Sequence, residues 1–434
     1  MTSMLKSVSN GYEIPSGLVV SGRVRPPSSK SLTQRALNLS FLAKRPCVIR
    51  RPLISEDTDL YLAALESLGY QWTRDGHQLS IDPGKFTDGG RIGCGLNGTM
   101  LRFLTAALST VPGEWILDGS ERLRQRPVGP LVEALRALGA DIRYEDREGF
   151  APISVFGGSL GGGRVELDAS QSSQFVSALL MAATQAEDEV EIRVGTVVSG
   201  PYVELTQEVM SSFGAVCVHD KQAGTYRVEP VALAGVEVEV EVDFSSAAYP
   251  AAAAIVTGGS VWIEGLRRNS LQGDRRFLNV LGEMGAEVKW HDEGVEVRAG
   301  TQLQGIEIDL SEMPDQVPTI AVLAPFARGE TLVKNVGHLR LKESDRLAAM
   351  VTELGRMGAA IKETADGLEI EGTWADRGAI PSSAVTVETY GDHRVAMSLA
   401  ICGLARPGVT VGTPGVVAKS YPSFWDDFEN LLLE

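Results

Sequence analysis

The chain reads LVEALRALGADIRY over residues 131–144, and this stretch decides the fold. An amphipathic helix ends in an apolar residue and a glycine, and a short strand follows. Related stretches recur around glycines spaced about 70 to 75 residues apart, namely Gly69, Gly139, Gly214, Gly285 and Gly358. Glycine is the expected stop just past a helix end, because it adopts a left-handed backbone without steric cost. A period of this length predicts duplication of one α/β unit.

A second kind of helix precedes each of these outer helices. It begins with a polar cluster and continues through about ten apolar or small residues, so it is predicted to be buried on all sides. Six such starts stand in the chain, near Ser28, Gly95, Gln171, Asp243, Met313 and Tyr390. The stretch from Phe424 supplies the sixth outer helix, and an N-terminal strand must complete its unit. We therefore expect an α/β (α+β) fold of six βαβαββ units, with buried parallel inner helices and sheets outside.

Six units divide naturally into two similar domains of three units each. We place the two crossings of the chain near Arg23 and near Val238. One domain then comprises residues 1–22 with 239–434 and carries both termini, and the second comprises residues 23–238. The active site is expected in the cleft between them.

The composition excludes several classes of function. The 434 residues carry a formal net charge of −16, which argues against nucleic-acid binding because such binding needs basic surface. No apolar run is long enough to span a bilayer, and residues 1–15 contain no secretion signal, so a cytoplasmic protein without a membrane partner is expected. Four cysteines are scattered without CxxC or Cys/His spacing, which predicts reduced thiols and neither disulfides nor a metal site. They are Cys47, Cys94, Cys217 and Cys402.

Basic residues accompany the polar starts of the inner helices. The first N–H groups of a buried helix carry partial positive charge, so several starts aimed at one place make an anion site. Ser, Asp and Asn at a helix start are also ordinary caps, and capping alone explains any single start. A cap needs no cation, however, and phosphate recognition does. Lys30 and Arg35 flank the first start, Arg102 follows the second, and Arg394 lies at the sixth.

Two outer helices also follow basic runs. Arg122, Arg124 and Arg126 precede the second outer helix, and residues 340–346 precede the fifth. In isolation such a run is most often a solvated surface. At a strand-to-helix turn, however, it lies where open α/β units hold their ligands. Together with the inner starts, these runs predict a site for phosphate and carboxylate groups in an acidic protein.

Nine short motifs resemble the 5-enolpyruvylshikimate-3-phosphate synthase family of enolpyruvyl transferases. A single motif is weak, but nine in order along almost the whole chain are specific. They are SKSLTQRAL at 29–37, GT at 98–99 with LR at 101–102, RP at 126–127, SSQF at 172–175, SGPY at 199–202, PD at 314–315, KESDRL at 342–347, DHRVAM at 392–397 and AKSYP at 418–422. The fold of this family is the two-domain, six-unit architecture that the repeat predicts independently.

The resemblance implies two substrates, phosphoenolpyruvate and shikimate 3-phosphate, and no cofactor. The residues expected to bind shikimate 3-phosphate are Lys30, Ser31, Arg35, Ser172, Ser173, Gln174, Ser199, Asp315, His338 and Lys342. The residues expected to bind phosphoenolpyruvate are Lys30, Gly98, Arg126, Gln174, Arg346, Arg394 and Lys419. The inhibitor glyphosate is expected to compete near Gly98, and the protein is expected to be a monomer.

The reaction implied by the family transfers the enolpyruvyl group to the 5-hydroxyl of shikimate 3-phosphate by addition and elimination, with release of phosphate. The resemblance makes Asp315 the base facing that hydroxyl and Glu343 the proton donor to the methylene carbon. Lys30 completes the catalytic set. Such chemistry needs one proton-transfer group near each reacting atom. How the proton roles divide among Asp315, Glu343, Lys30 and Lys342 stays open.

Three positions depart from the family pattern. Leu96 stands two positions before the Gly-Thr pair, where Asn is frequent, so its contact would pass to the backbone. His338 stands where Asn is common and can still hydrogen-bond a phosphate. Gly200 stands where Lys is common. These departures affect details of binding and leave the reaction unchanged.

Three alternative functions fit the sequence less well. A sister transferase acting on UDP-N-acetylglucosamine would have Lys-Asn near the start and a cysteine after its second inner helix. Here Ser31 follows Lys30, and residues 109–126 contain no cysteine. A non-catalytic repeat scaffold would lack the titratable helix starts. A nucleotide-binding enzyme is disfavoured because the glycine-rich run from Gly157 precedes a strand and lacks a GK[ST] ending.

Overall fold

The five glycines that define the repeat lie just past helix ends, as the sequence predicts. In the computed structural model, which describes residues 4–9 and 11–433, each has a positive φ. The values are +92° at Gly69, +95° at Gly139, +85° at Gly214, +103° at Gly285 and +95° at Gly358. This conformation favours glycine, which explains why the same residue recurs at the same point of five units.

Two kinds of helix alternate along the described residues. The inner helices are buried almost all round, and they are Lys30–Ala43 (α1), Gly98–Leu108 (α3), Ser173–Ala183 (α5), Phe244–Thr257 (α7), Val317–Leu323 (α9) and His393–Ala405 (α11). The outer helices bury one face, and they are Glu56–Ser67 (α2), Gly129–Ala137 (α4), Pro201–Ser212 (α6), Phe277–Glu283 (α8), Arg346–Arg356 (α10) and Phe424–Leu433 (α12). Each helix lies where the pattern of polar starts and apolar periods predicts it.

The chain forms two compact units, each with its own strands. The continuous unit is Ser28–Val240, and its strands are Cys47–Arg50 (β4), Gln71–Asp75 (β5), Gln78–Asp82 (β6), Gly89–Gly93 (β7), Gly113–Asp118 (β8), Asp141–Tyr144 (β9), Ile153–Gly157 (β10), Gly163–Ala169 (β11), Val190–Val197 (β12), Cys217–Asp220 (β13), Thr225–Val228 (β14) and Glu237–Glu239 (β15). The discontinuous unit extends up to Pro27 and from Glu241 onward, and its strands are Lys6–Val8 (β1), Gly11–Glu13 (β2), Ser21–Val24 (β3), Ser260–Glu264 (β16), Glu287–His291 (β17), Gly294–Arg298 (β18), Glu307–Asp309 (β19), Glu330–Lys334 (β20), Ile361–Glu363 (β21), Leu368–Glu371 (β22), Val385–Val387 (β23) and Val409–Val411 (β24).

Within the described residues, the strands form six four-stranded sheets of one topology, three in each unit. Their orders are β15-β4-β6-β5, β7-β8-β10-β9, β11-β12-β14-β13, β3-β16-β18-β17, β19-β20-β22-β21 and β23-β24-β2-β1. The first two strands of each sheet are parallel and the others are antiparallel. In four of the sheets the parallel strands are joined through one inner helix, as in a βαβ unit. The last sheet joins the N-terminal strands to β24, so the predicted closure of the sixth unit is confirmed. The six βαβαββ units of the predicted fold are confirmed with it.

Two strands explain where the chain passes from one unit to the other. Strand β3 precedes α1 in sequence but pairs in parallel with β16, and β15 precedes α7 but pairs in parallel with β4. Boundaries after residues 22 and 238 would cut through both strands. The structure keeps them whole, and the units divide after Pro27 and after Val240.

Each unit has its own hydrophobic core. Within the continuous unit the core gathers around α1, α3 and α5, and within the discontinuous unit it gathers around α7, α9 and α11.

The four cysteines are free thiols, three of them buried and Cys217 half-buried. Within the described part of the chain, no helix combines the length and the apolar character needed to cross a membrane.

Candidate active site

Polar side chains cap five of the six inner helices among the described residues. Each accepts a hydrogen bond from a backbone N–H of the first turn. Helix capping, the alternative to anion binding as an explanation of the polar starts, is therefore present. The capping residues are Ser29, Asn97, Ser172, Asp243 and Asp392. The start of α9 differs, because Pro314–Gln316 forms a 3₁₀ turn without a side-chain cap. Capping and ligand binding use different groups of the same segment, so the two interpretations are compatible.

In the continuous unit, Gln174 is held at both ends of its amide. Arg102 donates a hydrogen bond to Oε1, and Nε2 donates to Thr99 Oγ1 over 2.9 Å. Arg102 also donates to the carbonyl of Pro127 at 2.9 Å, and its guanidinium lies 5.2 Å from the centre of the Phe175 ring. The amide is therefore fixed in orientation at the start of α5.

Gly98 and Arg126 lie in direct contact. A methyl group on Gly98 would come within 2.6 Å of Arg126 Cζ, so glycine is what leaves room for the guanidinium. Arg126 donates to the carbonyl of Leu96 over 3.2 Å. At the departure from the family pattern, position 96 thus contributes its backbone. We call Gly98, Thr99, Arg102, Arg126 and Gln174 the Gln174 cluster.

Lys30, the first residue of α1, forms an ion pair with Asp57. Nζ lies 3.2 Å from Oδ2, and the carboxylate side chain is only 4 % exposed. Asp57 lies in the first turn of α2 and was not predicted from the sequence. Acidic residues at a helix start are ordinary, so nothing in the local sequence distinguishes Asp57 from its neighbours.

Arg35 is buried, and its guanidinium donates hydrogen bonds to hydroxyl and carbonyl oxygens of its own unit. Its donors reach Thr206 Oγ1 at 2.7 Å, Tyr202 O at 2.9 Å, Ser31 O at 2.9 Å and Ser177 Oγ at 3.3 Å. Burial lowers the pKa of Arg35 to about 10, with the nearby tyrosine opposing, and the side chain stays charged at neutral pH. The guanidinium therefore ties α1 to α5 and α6.

The remaining predicted residues of this unit are three serines. Ser172 and Ser173 lie at the start of α5, and both are buried. Ser199 is also buried and has a φ of +55° just before α6. Beside it, a side chain on Gly200 would meet nothing within 4 Å, so the departure at this position is not imposed by packing.

In the discontinuous unit, one buried arginine contacts three carboxylates. Arg346 Nε lies 2.8 Å from Asp392 Oδ2, Nη1 lies 2.7 Å from Asp315 Oδ1, and Nη2 lies 3.0 Å from Glu343 Oε2. The sequence places Arg346 in a charged run typical of a solvated surface. Arg346 does not lie on a solvated surface, because its side chain is only 2 % exposed.

Two further cations join these carboxylates. Arg394 Nη2 lies 2.7 Å from Asp315 Oδ2, and Lys419 Nζ lies 3.7 Å from Glu343 Oε1. We call Asp315, Glu343, Arg346, Asp392, Arg394 and Lys419 the Arg346 cluster. It contains three carboxylates and three cations, so their formal charges balance.

The charges around Asp315 decide its protonation. Burial favours the neutral acid, but Arg394, Arg346 and Lys342 outweigh it and hold the pKa of Asp315 well below its usual range. The carboxylate is therefore ionised at neutral pH. Among the described residues, no group of His, Cys, Asp and Glu has the arrangement of a metal site.

His338 lies next to this cluster in the turn Gly337–Leu341. Burial, followed by the charge of Lys342, lowers its pKa to about 4, although Asp315 opposes the shift. The imidazole is therefore neutral at pH 7. Its Nε2 is buried and finds no hydrogen-bond partner within the described part of the chain. A buried polar atom of this kind is what a ligand can satisfy.

The structure thus groups every predicted site residue into one or other unit. It also adds Thr99 and Asp392, which were quoted only as parts of motifs, and it gives Arg102, predicted only as a cation near an anion site, a contact with Gln174. Their spacing within those motifs was the signal that could have found them. Asp57 carries no such signal.

Six βαβαββ units, with buried arginines and carboxylates at the starts of their helices, define an enolpyruvyl transferase. The family model of EPSP synthase (3-phosphoshikimate 1-carboxyvinyltransferase) matches residues 16–428. The chain belongs to this family.

Individual relatives agree with the family match. The chain is 44% identical over 417 residues to 3-phosphoshikimate 1-carboxyvinyltransferase from Syntrophobacter fumaroxidans, covering 95% of this chain and 97% of the relative. It is 38% identical over 429 residues to the enzyme of that name from Trichormus variabilis, with the same coverage. The solved structure of EPSP synthase from Acinetobacter baumannii matches with a TM-score of 0.80 at 25% identity, covering 96% of this chain and 97% of that one.

These matches confirm the recognition based on the nine motifs and the predicted activity of a 3-phosphoshikimate 1-carboxyvinyltransferase. They decide against the UDP-N-acetylglucosamine enzyme, the non-catalytic scaffold and the nucleotide-binding enzyme. This activity belongs to the shikimate pathway of aromatic amino acid biosynthesis.

Proposed function

We propose that the chain transfers the enolpyruvyl group of phosphoenolpyruvate to shikimate 3-phosphate by means of both residue clusters. The observation that carries the proposal is the Arg346 cluster, in which three buried cations contact three carboxylates, one of them, Asp392, fully buried. Buried charges are costly unless they are paired, and such clusters concentrate at functional sites.

Phosphoenolpyruvate would be bound through its two anionic groups. Arg126 and Gln174 of the continuous unit, with Lys30, offer a guanidinium, a fixed amide and an ammonium. Arg346, Arg394 and Lys419 of the discontinuous unit offer two guanidinium forks and a second ammonium. Planar arginine forks match the geometry of carboxylate and phosphate oxygens, and this match supports the assignment.

Shikimate 3-phosphate would be bound by hydroxyls and cations together. The proposed residues are Lys30, Ser31, Arg35, Ser172, Ser173, Gln174, Ser199, Asp315, His338 and Lys342. The orphaned Nε2 of His338 supports its inclusion, because a neutral imidazole can donate to a phosphate oxygen. For Arg35, whose donors contact the protein, we propose an indirect part: it fixes the backbone of Ser31.

The reaction requires a balanced movement of two protons. In the addition step the 5-hydroxyl oxygen bonds to C2 of phosphoenolpyruvate, loses its proton, and C3 gains a proton to become a methyl group. In the elimination step C3 loses a proton, the C2–O bond to phosphate breaks, and phosphate leaves. We assign Glu343 to the proton at C3 and Asp315 to the hydroxyl proton, with Lys30 near the reacting groups.

The lowered pKa of Asp315 bears on its role as a base. A carboxylate held by arginines is a weak base in the free enzyme. An incoming phosphoenolpyruvate anion would offset the charge of Arg346 and Arg394, and the pKa of Asp315 would then rise. Substrate binding itself would therefore activate the base.

Three further properties complete the proposal. Glyphosate carries a carboxylate and a phosphonate and would compete with phosphoenolpyruvate near Gly98. The chain would act as a monomer, because one chain supplies every proposed residue, and light scattering would then give the mass of a single chain. The four free thiols support a cytoplasmic location.

A phosphate-release assay tests the reaction directly. Purified protein is given phosphoenolpyruvate with either shikimate 3-phosphate or UDP-N-acetylglucosamine. Phosphate should appear only with the first acceptor, and a Glu343→Gln variant should release little with either. Release that depends on UDP-N-acetylglucosamine would contradict the proposal.

A further inference from the structure

Glu353 is a fully buried carboxylate in the outer helix α10, outside the Arg346 cluster. It accepts three hydrogen bonds. Tyr390 donates its hydroxyl to Oε1 over 2.7 Å, and the backbone N–H of Glu388 donates to Oε2 over 3.2 Å. Arg356 Nη1 lies 2.6 Å from Oε2 and supplies the compensating charge. Two of these donors belong to one short segment, residues 388–391, which connects β23 to α11.

That segment is a tight turn with an unfavourable backbone. The N–H of Asp392 donates to the carbonyl of Thr389 over 2.8 Å and closes the turn. Its two central residues, Tyr390 and Gly391, have φ values of +54° and +67°. A tyrosine rarely adopts this conformation, so contacts outside the turn must hold it there. Glu353 provides two such contacts.

The turn sets the positions of two groups of the Arg346 cluster. Asp392 directly follows it, and its Oδ1 accepts the N–H of Arg394 at 2.9 Å. Its Oδ2 accepts Nε of Arg346 at 2.8 Å. A shift of the turn would therefore move the start of α11, which carries Arg394, and change the orientation of Arg346.

We propose that Glu353 is a positioning residue for phosphoenolpyruvate binding, because it locks the Tyr390–Gly391 turn that places Asp392. This role rests on the proposed function of Arg346 and Arg394 as ligands of phosphoenolpyruvate. Glu353 touches none of the reacting groups and acts through the turn alone.

The kinetic test uses Tyr390→Phe, Glu353→Gln and the double variant. Each single change should raise KM for phosphoenolpyruvate by about five- to tenfold while kcat changes less than about twofold. KM for shikimate 3-phosphate should change less, since most of its proposed ligands belong to the continuous unit. If both residues act through one hydrogen bond, the double variant should be no worse than the more affected single variant.

Hydrogen exchange tests the geometric step without reference to activity. The amides of Asp392 and Arg394 should exchange faster in the Tyr390→Phe and Glu353→Gln variants, because both amides are bonded within the turn or to its next residue. Tyr70→Phe is the matched control. Its hydroxyl donates to the carbonyl of Phe41 over 2.6 Å in the continuous unit. That variant should lose stability and keep both KM values.

The outcomes separate this role from the reaction itself. If the wild type releases phosphate and the variants keep its KM for phosphoenolpyruvate while losing stability, Glu353 is only structural and the positioning role is overturned. Unchanged exchange of the Asp392 and Arg394 amides in both variants would overturn it equally. A wild type that releases no phosphate with shikimate 3-phosphate would overturn the proposed function and this role with it.

Discussion

Arg346 Nε lies 2.8 Å from Asp392 Oδ2, and both side chains are almost completely buried. The two residues are the first residue of the outer helix α10 and the cap of the inner helix α11. Their ion pair therefore ties the starts of two helices together. It also orients Arg346 toward Asp315 and Glu343, because the remaining nitrogens of the guanidinium bond to those carboxylates.

Asp392→Asn should destabilise the protein and weaken phosphoenolpyruvate binding. Removing one partner of a buried ion pair leaves an uncompensated charge, at a cost of about 3 kcal/mol. Asp315 and Glu343 still contact Arg346, which keeps the loss at the lower end of the usual range. Urea unfolding measures the change. The exposed pair of Arg276 and Glu312 supplies the control, and Glu312→Gln should leave the midpoint unchanged.

Equal unfolding midpoints for the wild type and Asp392→Asn would contradict this prediction. A lower midpoint with an unaltered KM for phosphoenolpyruvate would keep the structural role of the pair and reject its link to binding.

Gly98→Ala should weaken binding without unfolding the protein. The new methyl group would meet Arg126 Cζ at 2.6 Å, so the guanidinium must move. Because the far end of a flexible side chain can yield, stability should stay close to that of the wild type. A displacement of this size should lower kcat/KM for phosphoenolpyruvate by about ten- to a hundredfold and raise the glyphosate inhibition constant.

Gly195→Ala is the control for this substitution, since nothing lies within 4 Å of the position its methyl group would take. It should match the wild type in both constants. Undiminished glyphosate inhibition of Gly98→Ala would show that Gly98 and Arg126 do not border the inhibitor.

His338 should make the stability of the protein depend on pH. Its folded pKa is about 4, lowered first by burial and then by Lys342, whereas an unfolded histidine titrates near about 6.5. Between these values the unfolded chain takes up a proton that the folded chain refuses. Stability is therefore complete above about pH 6.5 and is lost progressively as the pH falls toward 4, by about 3 kcal/mol.

His338→Asn removes this titration and inserts the residue that is common at this position in the family. The free energy of unfolding, measured by urea at about pH 7.5 and about pH 4.5, should fall less on acidification in the variant than in the wild type. Equal losses in the two proteins would assign the acid sensitivity to other groups.

The fold was predictable because its signals are local. Helix caps such as Ser29 and Asp392, and stop glycines such as Gly139, act within a few residues of their own position, and period analysis detects them. The pairing of β3 with β16 was not predictable in this way. Those strands belong to one unit but are separated in sequence by the whole of the other, so signals that act within a few residues cannot pair them.

The chemistry of the candidate site was predictable by residue type, but its internal contacts were not. Arg346 and Arg35 both stand in basic motifs. In the structure, Arg346 donates hydrogen bonds to carboxylates from three different segments. Arg35 instead donates mainly to hydroxyl and carbonyl groups of its own unit. Only tertiary packing decides between these partners. The same holds for Asp57, whose pairing with Lys30 joins two helices.

Glu343→Gln should abolish turnover while leaving the fold intact. The amide keeps the shape of the side chain and can still accept from Arg346, but it cannot give or take a proton at C3, so kcat should fall by about 10²–10⁴-fold. The phosphate-release rate at saturating substrates measures this loss, with Glu287→Gln as a control on an exposed glutamate of β17. A Glu343→Gln enzyme that retains more than about a tenth of the wild-type kcat would transfer the proton role to Lys30 or Lys342.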